Sequence, residues 1–97
     1  MLDLESRHLA VVVGILNHHV PGARTYAFGS RVTGRAHRFS DLDLAIQWEN
    51  GLDLGTMAKL REEFSESNLP MKVDVVDLLC VSSEFKKIIL QEVIDVV

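Results

Sequence analysis

Two aspartates one residue apart, Asp41 and Asp43, follow a glycine–serine pair, Gly29-Ser30, after the intervening stretch 31–40. On a strand, residues at i and i+2 leave the same face about 7 Å apart at their α-carbons. Two neighbouring carboxylates on a buried face are costly unless something neutralises them. Magnesium does so readily, because it is hard, prefers carboxylate oxygens, and often combines one or two of them with substrate phosphates. Alone, an Asp-x-Asp also fits the solvent face of an edge strand. The glycine of the pair permits close backbone approach, the amides of a helix start bind anions, and the serine hydroxyl adds a donor. Between turn and aspartates lie Arg31, Arg35, His37 and Arg38, a concentration of positive charge in a chain of net charge −4. Such a loop alone fits a solvated surface. A phosphate-binding turn facing a metal-binding pair is, however, what phosphoryl or nucleotidyl transfer requires.

The elements that must position these groups follow from periodicity. Residues 3–19 predict a helix, with Leu9, Val12, Val13 and Leu16 at helical spacing and Pro21-Gly22 stopping the run. "ARTYAF" predicts a strand ending at Gly29. "DLDLAIQW" alternates, with Leu42, Leu44, Ile46 and Trp48 on one face and Asp41, Asp43, Ala45 and Gln47 on the other. Asn50-Gly51 marks a turn. A helix over 53–66 points Leu54, Met57, Ala58 and Leu60 inward. "MKVDVVDLL" is a third strand, and Ser82 or Ser83 caps a last helix with Phe85, Ile88, Ile89, Glu92 and Val93 at spacings of three and four. Three strands interleaved with helices, the helices on one face, make a small α/β or α+β sandwich, read as one α+β domain over residues 1–97. The apolar ending "QEVIDVV" fits burial in the domain's own core, or against a partner or second copy.

Composition narrows the function classes. An apolar fraction of 47% with 25% charged residues belongs to a globular chain rather than a disordered one. The longest apolar runs fall short of the roughly 20 residues that span a membrane. The acidic N-terminus lacks the positive region of a signal peptide. One cysteine, Cys80, excludes an internal disulfide and suits the cytoplasm; its apolar neighbours suggest a packed thiol. The negative balance argues against nucleic acid as the partner. His18-His19 suits a helix C-terminus, where positive charge is favourable, better than a metal site. His37 reads as a loop residue, and Tyr26 and Trp48 as packing residues.

"GSRVTGRAHRFSDLDLA" resembles the signature of the DNA polymerase β-like nucleotidyltransferase superfamily, and its spacing, with Gly34 in the loop and Ser40 before the pair, resembles the minimal nucleotidyltransferases of bacteria and archaea. The motif covers about one-fifth of the chain, while the order helix, strand, turn segment, strand, helix, strand, helix is similar to the family end to end. The resemblance implies a small mixed sheet of polymerase β palm-like fold. It also implies a third carboxylate within a later strand, which selects Asp74 and leaves Asp77 as a cap or solvated residue. Asp41 and Asp43, joined by Asp74 in a two-ion scheme, would hold Mg2+ on ATP or another nucleotide, Asp74 helping to deprotonate the acceptor hydroxyl. Gly29 and Ser30 would dock the β- and γ-phosphates, and Arg31 or Arg35 would neutralise the leaving pyrophosphate. Family members are often encoded beside a helical HEPN toxin, so the implied reaction moves AMP onto a partner tyrosine, with the protein as antitoxin in a homo- or hetero-oligomer. The alternative is a non-catalytic antitoxin that masks its partner by contact alone.

Overall fold

The computed structural model describes residues 2–49 and 51–97, so Asn50 of the expected Asn50-Gly51 turn lies outside the described residues. The order is α1 (Ser6–His19), β1 (Arg24–Phe28), α2 (Ser30–Thr33), β2 (Leu42–Gln47), α3 (Leu54–Glu66), β3 (Val73–Asp77), α4 (Ser83–Leu90) and β4 (Ile94–Asp95). The strands form one mixed sheet in the order β3-β2-β1-β4. β2 pairs antiparallel with β1 and parallel with β3. The fold is thus the expected α+β type, with one strand more than the sequence suggested.

That strand comes from the apolar ending. Ile94 pairs with Ala27 and Asp95 with Tyr26, while Ile94 and Val96 pack against the main core. The segment completes the domain's own sheet instead of extending the last helix. α1 begins at Ser6, later than the expected residue 3, because residues before it are held extended: Asp3 N–H donates to the Arg31 carbonyl at 2.8 Å.

The sheet has two differently covered faces. Leu42, Leu44 and Ile46 are fully buried against Val12, Leu16, Leu60 and Phe64 of α1 and α3. On the reverse face Ala45 is buried with Leu78 and with Ile89 of α4, flanked by Tyr26 and Val76. Helices therefore cover both faces, where one had been expected. α3 is capped by Asp53, whose carboxylate accepts from Thr56 N–H at 2.7 Å. Its inward stripe is Met57, Leu60 and Phe64, whereas Leu54 is 90% exposed and Ala58 is exposed too, against expectation. Leu54 and Ala58, four residues apart, lie to one side of the stripe that the core covers. Ser82 caps α4 by accepting from Phe85 N–H at 3.1 Å. Cys80 is exposed rather than packed, in the turn after β3. Among the described residues no helix is long and apolar enough to cross a membrane.

Candidate active site

β2 carries the centre. The alternation that buries Leu42, Leu44 and Ile46 turns Asp43 to the reverse face with Ala45. Strand pairing then fixes its neighbours: Asp43 lies opposite Phe28 on β1 and opposite Asp74 on β3. Register partners share a face, so Asp74 stands beside Asp43. Asp77, three residues on, takes the other face.

Burial is the main reason that Asp43 is held above the usual carboxylate range, followed by the charges of Asp74 and then Asp41. Asp41, one residue before β2, is thus close enough to repel it. Lys72 Nζ lies 3.6 Å from Asp74 Oδ1, but it is well exposed and offsets little of this repulsion. The donor set is all oxygen, anionic and under-neutralised, which fits a hard divalent cation such as Mg2+. The three carboxylates do not converge to a single point: among the described residues, the group of three with ligand atoms within 4.8 Å of one another lies elsewhere.

The glycine–serine turn meets this cluster directly. Gly29 has φ 80° and ψ −155°, a conformation open essentially to glycine. A Cβ there would collide with Asp43 Oδ2 and lie 3.3 Å from its Cγ. The two halves of the motif are therefore in van der Waals contact through a missing side chain. Ser30 opens α2, whose first amides have no partner within so short a helix. Gly34 closes it at φ 82°.

Arg31 follows Ser30 in α2. It is only 6% exposed, and its guanidinium is committed to backbone carbonyls. Nε donates to Ser40 O at 3.0 Å, Nη2 to Ser40 O at 2.9 Å and to Arg38 O at 3.3 Å, and Nη1 to Asp3 O at 2.9 Å. Four of its five donors are spent on the N-terminal segment and on the loop that leads into Asp41. Arg31 thus clamps the loop to the N-terminal segment, while Arg35 is exposed on the loop. Ser40 tightens the same loop, its Oγ accepting from His37 N–H at 2.9 Å.

Asp77 is buried rather than solvated. It accepts from Leu52 N–H at 3.1 Å and Leu79 N–H at 2.9 Å, so it anchors the segment before α3 and the turn after β3. The neighbouring Cys80 thiol is pushed up from its ordinary value, chiefly by its hydrogen bond to Asp77 and then by that charge. Tyr26 and Trp48 pack as expected. Of the two roles expected for Asp77 the structure shows the cap, whereas Arg31's clamp had no signal in the sequence, because it uses backbone carbonyls brought near by folding.

The sequence profile described as "Polymerase beta, Nucleotidyltransferase" matches residues 12–97. The chain belongs to this family. The nucleotidyltransferase is 49% identical over 88 residues to "Probable protein adenylyltransferase MntA" of Haemophilus influenzae, covering 91% of this chain and 77% of the relative. A solved toxin–antitoxin structure with AMP-PNP matches 92% of this chain and 72% of its own, with a TM-score of 0.79 and 27% identity. A solved complex of tri-AMPylated Shewanella oneidensis HEPN toxin with MNT antitoxin matches 97% of this chain and 72% of its own, with a TM-score of 0.74. At its 21% identity, that likeness is one of fold.

Proposed function

We propose that this nucleotidyltransferase transfers AMP from ATP to a tyrosine hydroxyl of a helical HEPN-type partner, silencing a toxin as its antitoxin. The observation that carries the reading is the meeting of the Gly29 backbone with Asp43, itself paired in register with Asp74. Phosphate-docking amides and carboxylates thus face one reaction space. Similarity to MntA, a probable protein adenylyltransferase by its name, supports AMP as the group transferred and a protein as the acceptor.

In this reading Asp41 and Asp43 hold Mg2+, with Asp74 completing the set. A cation held there would supply charge neutralisation for the triphosphate and the departing pyrophosphate. Gly29 and Ser30 receive the β- and γ-phosphates through backbone N–H and hydroxyl donors. Asp74, at the outer edge of the cluster, accepts the phenolic proton as the tyrosine oxygen attacks the α-phosphorus. One oxygen–phosphorus bond forms, the bond to the β-phosphate bridging oxygen breaks, and pyrophosphate leaves. Arg35 is the loop cation available to the departing charge. Arg31 acts earlier, by fixing the approach of the loop to Asp41.

The test uses ATP labelled at the α- or the γ-phosphate, incubated with Mg2+, this protein and a HEPN-type helical partner. Label from the α-position alone should remain on the partner, and the Asp41→Asn, Asp43→Asn variant should leave the partner unlabelled. No transfer from either position, with the variant still silencing the partner, would leave a contact antitoxin instead.

A further inference from the structure

On the opposite side of the sheet from the aspartates, three side chains from two helices converge. His18 and His19 are the last residues of α1, and Glu63 lies on α3. His18 Nδ1 is 3.1 Å and His19 Nε2 is 2.5 Å from the same oxygen, Glu63 Oε1. The two rings are tilted by 49° with centroids 4.6 Å apart, so they address one point without stacking. The ligand atoms of all three residues lie within 4.8 Å of one another.

We propose that His18, His19 and Glu63 form a binding site for a zinc-class divalent transition metal, tying the end of α1 to α3. Two imidazoles and one carboxylate are a borderline donor set, suited to zinc, cobalt or nickel and unsuited to magnesium. Metal–ligand distances of about 2.0–2.2 Å in a tetrahedron place the ligand atoms about 3.4 Å apart. The observed 2.5 and 3.1 Å therefore need to open by no more than about 1 Å. His18 and Glu63 have the freedom to do so, with side chains 71% and 40% exposed. His19 is the fixed ligand, at 15%. A water would take the fourth position.

The surrounding field favours a cation. Glu62 and Glu66 line the hollow beside His19 and Glu63, against one opposing cation, Lys59. The carbonyl end of α1 points the negative pole of its dipole at the same place. The site is chemically sorted from the aspartate cluster, which offers oxygen alone.

The test adds Co2+ alone to the untagged full chain and follows the visible absorption of four-coordinate cobalt. One equivalent should develop the band in the wild type and equally in Asp43→Asn, and Zn2+ should bleach it. Zinc at a free concentration a hundredfold above its Kd should raise the unfolding midpoint by roughly 10–20 °C. His18→Ala, at an exposed position, and Glu63→Gln should fold and each lose the band and the zinc-induced shift. No band in the wild type would overturn the proposal. So would a band that survives in both variants, or one that disappears in Asp43→Asn and so belongs to the aspartates.

Discussion

Replacing Gly29 with alanine perturbs the centre and the backbone at one atom. At φ 80° and ψ −155°, an L-residue sits in a region essentially closed to it, at a cost of about 1–3 kcal/mol. The added methyl also collides with the Asp43 carboxylate, which must rotate away from its place beside Asp74. For a domain of this size 1 kcal/mol shifts Tm by about 4–8 °C, so the midpoint should fall by of the order of 10 °C. A catalytic group displaced by about 1 Å can lose a hundredfold in rate, so kcat should fall at least tenfold even where the variant is fully folded. The structure supplies its own control in Gly34, which also has positive φ, at 82°, but where an added Cβ would meet nothing within 4 Å. Gly34→Ala should lose about 1 kcal/mol and keep its rate within about twofold, since no site atom moves. Thermal melts followed by circular dichroism, with rates taken well below both midpoints, make the comparison. Equal rates for the two folded variants would refute the reasoning.

Other expected outcomes follow from the same geometry. The raised Asp43 carboxyl favours the protonated form when folded, so its contribution to stability is present below the ordinary value near 3.9 and is lost as pH rises through the folded value. Asp43→Asn in chelator should therefore be more stable than wild type at neutral pH, with the difference shrinking towards pH 4; urea melts at both pH values measure it. Asp74→Asn should abolish transfer with little change in Tm. Asp77→Ala, which strands the amides of Leu52 and Leu79, should cost about 1–3 kcal/mol while transfer persists below its melting point. Arg31→Ala removes a buried guanidinium from three carbonyls and should cost about 2–4 kcal/mol. It should also lower kcat, with Arg31→Lys recovering part of both.

Local pattern made much of this legible. The alternation of β2 determines which face Asp43 takes, and glycine beside serine at a strand end marks the turn that meets it. Pairing register was not legible, because it depends on which strands become neighbours. Hence Asp74 rested on family likeness, while its position opposite Asp43 comes from the parallel pairing of β3 with β2. Leu54 and Cys80 misled in a common way: apolar spacing or apolar neighbours predict burial only where another element arrives to cover them. Ile94 and Val96 read only as an apolar ending to be buried, and the strand they form depends on the edge that β1 offers. The charge of Arg31 is visible in a sequence, whereas the backbone carbonyls it binds in the fold are not. Glu63 shares no local pattern with His18 and His19, so only the packing of α1 on α3 joins them.

The most direct measurement of the central claim is pyrophosphate release in a single turnover with the helical partner, Mg2+ and limiting ATP. The account predicts release stoichiometric with modified partner tyrosine in the wild type, and neither product from Asp43→Asn although that variant is folded and still binds the partner. Release and modification that persist in Asp43→Asn, or a wild type that silences the partner while releasing no pyrophosphate, would contradict it.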